Sequence, residues 1–439
     1  MKQQKSKIVL LNTVINNNAG FRGSIKNLQP IELLYIYSLL KECYDVYVHD
    51  TANGLDFDFS ADMYIVSSAS NYLFWRCPSL YISNLFELIS TIKQKSRKAK
   101  ILLIGPHGHF STDDFFTKGV DYILIGEPEY SIKAYVDEIF NSQAKKILFS
   151  KECNVNDLPM LNYSLLDNKL AYHSHSYPYN NSVNSIVYES SRGCPYNCVF
   201  CNKRIFRGNY REKSYEHIKE EILNNMMHKK IDYIYFIDEN FCTNRSHVEN
   251  ICKLMKELKI LWGCQTSADS LSYELIDIMA SSGCVSLEIG LESASEIILS
   301  KNKRMFNLNK TKSLIEYMIE KNISPLIFIL FFLPGETAQT LMDTLSFINS
   351  IKGKFRISCG IPYCFPNTTL WTMALNQNMI HNVKSWSDID KLTGRVGVDY
   401  NIGSEKIKKF CDKYGPINIF NIYYYNEIYT DLMCMVKGE

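Results

Sequence analysis

Twice along this chain short apolar runs alternate with amphipathic stretches, and that alternation restricts the fold more than any other feature. Short apolar runs between helical segments are the mark of parallel strands buried on both faces, so the chain reads as α/β. In the first block, residues 1–145, the strands are KIVLLN, YDVYVHD, MYIVSSAS, KILLIG and DYILIG, and the longer helices are PIELLYIYSLLKE, LYISNLFELISTIKQK and YSIKAYVDEIF. This series predicts an amino-terminal doubly wound, Rossmann-like sheet. Ligands of such sheets lie at the carboxyl ends of the strands. Those ends carry Ser67 and Ser68, then Gly105, Pro106, His107 and Gly108, then Gly126, Glu127, Pro128 and Glu129.

The second block, residues 185–371, repeats the unit with strands SIVYES, YIYFIDEN, WGCQTSAD, VSLEIGLES, PLIFILFFLPGE and FRISCGIPY. Functional groups of a parallel barrel gather at the carboxyl ends of its strands. Polar residues interrupt the apolar pattern there: Asp238, Glu239 and Asn240, then Gln265, Ser267 and Asp269, then Glu288 and Glu292. The fifth strand ends in Leu333-Pro334-Gly335-Glu336, where Glu336 suits the cap of the next helix.

Between the blocks, residues 146–184 are irregular and polar and read as a linker in which His173 and His175 are solvated. Residues 372–439 form a short carboxyl-terminal segment that resembles no known motif, with Tyr423, Tyr424, Tyr425 and Tyr429 as packing residues. Cys364 reads as an inert core thiol.

Length and charge bound the function. A chain of 439 residues holds about two or three domains. Its 48 Lys and Arg balance 46 Asp and Glu without a long run of one sign, so nucleic acid is not an expected partner. The longest apolar run, Pro325 to Pro334, is about half of what a membrane span requires. The basic start before KIVLLN is followed by no small-residue cleavage site. The expectation is a cytoplasmic protein whose scattered cysteines are reduced.

Three cysteines stand apart from the rest. Cys194, Cys198 and Cys201 lie in SSRGCPYNCVFCNK, spaced C-x3-C-x2-C after an apolar run. A structural zinc site wants four Cys or His ligands, and no second pair follows at a suitable distance. Three thiolates on a [4Fe–4S] cube leave one iron open to a small molecule. Gly193 and Pro195 break local helix and let the loop wrap an inorganic core.

This loop, with Phe200 just before its last cysteine, resembles the cluster loop of the radical S-adenosylmethionine (radical SAM) superfamily. The resemblance implies a partial (β/α)6 barrel, a [4Fe–4S] cluster whose open iron chelates SAM, and a 5′-deoxyadenosyl radical. It also assigns SAM contacts to Asp238, Glu239, Asn240, Ser267, Asp269, Glu288 and Glu292; the catalytic side chains stay unknown. The order of the two blocks, with IGPHGHF and GVDYILIGEPE in the first, resembles the branch with an amino-terminal cobalamin-binding domain. Ser67, Ser68, Trp75, Gly105, Pro106, His107, Gly126 and Glu127 are then the cofactor's expected surroundings.

Cobalamin proteins that supply a cobalt ligand use D-x-H-x-x-G, whereas here Ala52 follows Asp50 and Thr51, so no ligating histidine is expected from this motif. His49 and His107 read as ordinary polar residues rather than cobalt ligands. Trp75 and Arg76 stand where some family members place a residue beneath the cobalt; Trp75 serves equally well as a plug between domains. The implied activity is methylation of an unactivated carbon of a small-molecule or peptide natural product, with flavodoxin or ferredoxin as electron donor. The alternatives are a cyclase or rearranging enzyme built from the same parts and a non-enzymatic cobalamin or iron–sulfur sensor.

Overall fold

The computed structural model describes residues 5–13, 28–54, 57, 59–69, 71–75, 78–166, 172, 174–179, 183–202, 206–392, 396–397, 417–420 and 431. Its first sheet contains β1 (Lys7–Asn12), β2 (Asp45–Asp50), β3 (Met63–Ser67), β4 (Lys100–Ile104), β5 (Tyr122–Ile125) and β6 (Ile147–Phe149). All pairs are parallel and the order is β2-β1-β3-β4-β5-β6. Alternate side chains of β1 show why the sheet is covered twice. Ile8 and Leu10 pack with Leu33, Ile36 and Val136 on one face, while Val9 and Leu11 join the cluster of Ile89, Ile92 and Phe115 on the other. Strand order reverses between β1 and β3, so a crevice opens at their carboxyl ends. Thr13 and Ser67 meet there, Thr13 Oγ1 donating to the Ser67 carbonyl at 2.5 Å.

β6 carries this sheet past residue 145, and the chain beyond it is a strap rather than a solvated linker. Leu158, Leu161, Tyr163 and Leu166 are buried against the second unit. The strap's amides are satisfied by Glu221 and Asn225, which accept from Leu161 N and Tyr163 N. Buried backbone without such acceptors is costly, which is why these two polar side chains are themselves buried on the helix Tyr215–Met226.

The second sheet begins with β7 (Ser185–Tyr188), followed by the two-residue antiparallel pair β8 (Ser191–Arg192) and β9 (Arg211–Glu212) that brackets the cysteine loop. It continues with β10 (Tyr233–Phe236), β11 (Leu261–Ser267), β12 (Cys284–Glu292), β13 (Ser324–Leu330) and β14 (Arg356–Gly360). These six long strands are parallel neighbours in chain order from β7 to β14, the arrangement of a partial (β/α)6 barrel. A further strand, β15 (Ile417–Phe420), pairs antiparallel with β14, a contact that the tail's sequence did not announce.

The segment before β7 reaches into polar residues of this sheet. His175, expected in a solvated loop, is 6% exposed. Its Nε2 lies 3.0 Å from Glu288 Oε1 and its ring packs edge-on to Tyr235. Arg356 donates to Ser176 Oγ and Ser286 Oγ at 3.1 and 2.8 Å, and Tyr233 OH donates to the His175 carbonyl. His173, Arg76 and the four tail tyrosines lie outside the described residues. No helix among those described is long and apolar enough to cross a membrane.

Candidate active site

The cysteine loop leaves β8 at Gly193, and its path depends on that residue. Gly193 has φ +81°, and a Cβ there would collide with the Asn209 carbonyl. Its amide donates to Glu239 Oε2 at 2.9 Å, so a carboxylate from the end of β10 fixes the loop's entry. Glu239 is held in turn by Arg207, at 3.3 Å. Cys194 is buried and Cys198 and Cys201 are partly buried, with Cys201 N donating to the Cys198 carbonyl at 3.2 Å.

Among the described residues no three Cys, His, Asp or Glu side chains converge as ligands of one ion. Three thiols on one short loop are the donor type that holds an iron–sulfur cluster. A second observation agrees. Asn240 is 2% exposed, its Oδ1 accepts from Thr266 Oγ1 and Ser267 N at 2.8 and 2.9 Å, and its Nδ2 has no hydrogen-bond partner among the described residues. A buried amide donor left open beside the loop suits a bound polar group.

The mouth is closed by Ser267, Asp269, Tyr196, Glu292 and Arg304. Tyr196 OH, from within the loop, donates to Asp269 at 2.6 Å, and Ser267 Oγ also donates to Asp269. Burial and the Asp269 carboxylate push the Tyr196 phenol up to about 12. Glu292 sits at φ +66°, where the register between β12 and β13 shifts, a backbone state rare for a non-glycine residue.

Arg304 escaped the sequence reading, since nothing in NKRMFN marks one basic residue over its neighbours. Its Nη2 donates to the Gly290 carbonyl at 2.8 Å and to Ser267 Oγ at 2.9 Å, and its Nη1 lies 3.7 Å from Cys198 Sγ. Burial opposes its charge, but Cys198, Glu292 and Asp269 more than compensate and raise its pKa.

Two acidic residues expected at SAM are engaged elsewhere. Asp238 is 1% exposed and accepts from Ser190 N, Ser190 Oγ and Ser191 Oγ, so its oxygens hold the backbone that leads into β8. Burial raises its pKa while the serines pull it down. Glu288 faces His175, and Gln265 donates to the Asp238 carbonyl at 2.7 Å. The short polar run Asp238-Glu239-Asn240 thus splits three ways, because successive side chains beyond a strand point in different directions.

The expected cobalamin surroundings divide similarly. Glu127 is a salt-bridge residue: it accepts from Arg192 and twice from Arg211, and from Cys153 N. Burial alone would raise its pKa, yet Arg192 and Arg211 hold it below the usual carboxylate range. Both nitrogens of His107 are occupied, Nδ1 by Ser68 Oγ at 3.0 Å and Nε2 by the Ser79 carbonyl at 2.8 Å. Burial lowers its pKa to about 4. Ser67 Oγ donates to the Ala69 carbonyl. Gly105, with the buried Pro106 after it, packs on Ser68, and Gly126 packs under Ser150, neither leaving room for a Cβ. Trp75 is 1% exposed and sits against the cysteine loop, its carbonyl accepting from Asn202 Nδ2 at 3.4 Å. Its Nε1 and Asn202 Oδ1 are buried without hydrogen-bond partners among the described residues.

A buried ionic network joins the carboxyl ends of β5 to the cysteine loop. Arg192, 0% exposed, lies 2.7 Å from Glu129, 2.8 Å from Glu189 and 3.4 Å from Glu127. Arg207 pairs with Glu189 and covers the Tyr72 ring at 3.9 Å. The tail adds Trp386, whose Nε1 donates to the carbonyls of His107 and Phe110 at 3.0 and 3.1 Å. The first sheet's ligand face therefore looks onto the loop.

Residues 188–348, which hold the cysteine loop and most of the barrel just described, match the model of the radical SAM superfamily. The domain's cofactors are a [4Fe–4S] cluster and SAM. An uncharacterized methyltransferase of Pyrococcus horikoshii is 23% identical over 396 residues, covering 82% of each chain. The radical SAM methyltransferase TsrM of Kitasatospora setae superposes with a TM-score of 0.68 at 14% identity, covering 86% of this chain and 77% of its own. OxsB, a cobalamin-dependent SAM radical enzyme, gives 0.60 at 17% identity, covering 92% and 59%. At these identities the two structures share the fold: a Rossmann-like domain followed by a radical SAM barrel.

Proposed function

We propose that this chain is a cobalamin-dependent radical SAM methyltransferase acting on an unactivated carbon of a small-molecule or peptide natural product. The observation that carries the reading is the cysteine loop lying between two ligand faces, the carboxyl ends of the first sheet and the mouth of the barrel. The methyltransferase relative and the cobalamin named for OxsB support it. When bound, the cluster and SAM supply a carbon-centred radical and cobalamin supplies a methyl group.

The chain's own residues position and enclose. Cys194, Cys198 and Cys201 hold the cluster, with Glu239 fixing the loop through Gly193. Asn240 Nδ2, Ser267, Asp269 and Glu292 border the space for SAM, whose ammonium and ribose hydroxyls suit carboxylate acceptors. Trp75 and Asn202 mark where the two ligand faces meet. Bringing both donors to a single loop shortens the life of the substrate radical before methyl capture, which is a proximity effect.

The test uses anaerobically reconstituted full-length protein, methyl-labelled SAM and an extract of its host, read by mass spectrometry. The expected result is a labelled product with S-adenosylhomocysteine and deoxyadenosine in about equal amounts, one SAM being consumed by each route. Sustained deoxyadenosine alone would indicate rearrangement. Alanine at Cys194, Cys198 or Cys201 is expected to remove both bound iron and deoxyadenosine. A full cluster in the triple variant refutes the reading.

A further inference from the structure

We propose that Arg304 is a positioning residue whose fixed charge beside Cys198 raises the reduction potential of the cluster. The inference rests on the reading that Cys194, Cys198 and Cys201 hold that cluster. It stands on geometry that reaches the loop from a different part of the chain. Arg304 follows the helix Glu296–Lys301 at a turn pinned twice: Arg304 N donates to the Leu299 carbonyl at 2.8 Å, and Asn302 Nδ2 donates to the carbonyls of Ile298 and Pro334.

From there the guanidinium is anchored by one nitrogen and aimed by another. Nη2 is held by the Gly290 carbonyl and Ser267 Oγ, at the ends of β12 and β11. That leaves Nη1 directed at Cys198 Sγ, 3.7 Å away. The plane is further set by Tyr196 and Phe306, whose ring centroids lie 5.7 and 5.6 Å from its central carbon. At 8% exposure the charge is little screened.

A cluster gains one negative charge on reduction, and a fixed cation beside a ligand sulfur stabilises the reduced form more than the oxidised one. Hydrogen bonds to ligand sulfurs and local net charge are established controls of cluster potential. The electron must reach the cluster before SAM is cleaved, so this residue governs how readily a weak donor can start turnover. Arg304 touches no reacting atom in this role; it acts through Cys198.

The experiment compares wild type, R304K and R304Q, reconstituted as full-length protein without SAM or substrate. Iron and sulfide are counted, and the reduced cluster is followed by electron paramagnetic resonance against solution potential. In R304Q the ratio of reduced to oxidised cluster at a fixed potential is expected to fall about tenfold, with R304K between it and wild type. A full cluster in R304Q with an unchanged midpoint overturns the proposal, as does R304K shifting as far as R304Q. If R304Q takes up no full cluster, R304K decides: a full cluster with a midpoint near wild type supports a role for the charge, and loss of the cluster there as well overturns it. Absence of a four-iron cluster in wild type would instead remove the underlying assignment, so the two failures are distinct.

Discussion

Replacing Arg192 by Met isolates the energetics of the buried network that joins the two halves of the molecule. Arg192 is fully buried among three carboxylates, and each keeps a different second partner when it is removed. Glu127 retains Arg211, and Glu189 retains Arg207. Among the described residues Glu129 retains a hydrogen bond from Tyr72 OH but no ion pair, so one buried carboxylate loses its directly paired cation. Breaking a buried pair from one side costs about 3–5 kcal/mol, mostly the desolvated charge left behind. In urea this lowers the unfolding midpoint by up to about 1 M, since the slope of a chain this long exceeds that of a small domain, followed by circular dichroism on apoprotein. The double variant R192M/E129M removes both charges and is expected to recover most of the loss, since apolar replacement of a whole buried pair is close to neutral. A double variant as unstable as the single one would refute the assignment of the cost to Glu129.

Glu32, buried beside Ser67, has its pKa raised to about 8, chiefly by burial. It stays protonated in the folded protein where the unfolded chain has ionised, so stability falls as pH rises from about 4.5 towards 8, and Glu32→Gln is expected to flatten that slope in urea titrations, by up to roughly 3 kcal/mol at pH 7. An unchanged slope would show that Glu32 is ionised at neutral pH. With the dimethylbenzimidazole tail displaced from cobalt, Ala52 in place of a ligating histidine and both nitrogens of His107 occupied, the cob(II)alamin form is expected to show no lower-axial nitrogen splitting in electron paramagnetic resonance; a clear nitrogen pattern contradicts this. Glu292→Gln is expected to raise KM for SAM about tenfold, the loss of one charge-assisted hydrogen bond, while iron and cobalamin content stay at wild-type levels; an unchanged KM removes Glu292 from the SAM site.

Much of the architecture was written in local pattern. The apolar runs at KIVLLN and VSLEIGLES have the length and both-faced burial of parallel strands, and each lies where its sequence places it, because burial on two faces requires an almost unbroken apolar run. The C-x3-C-x2-C spacing is equally local, since a loop that wraps a cluster must bring its thiols from neighbouring turns of one short segment. Direction was not legible. Asp238, Glu239 and Asn240 are adjacent, yet one holds Ser190 and Ser191, one holds Gly193, and one keeps an open amide. His175 looked solvated because its neighbours are polar, but those neighbours line a strap whose partners, Glu288 and Tyr235, come from strands far along the chain. Arg304 and Cys198 are separated by 106 positions, and no periodicity links them. The sequence by itself determined the two α/β units and the cysteine loop, because strand burial and cluster ligation are set over a few consecutive residues. Only the tertiary structure decided which charges meet, because a buried ion finds its partner through the packing of whole elements and leaves no mark in the residues beside it.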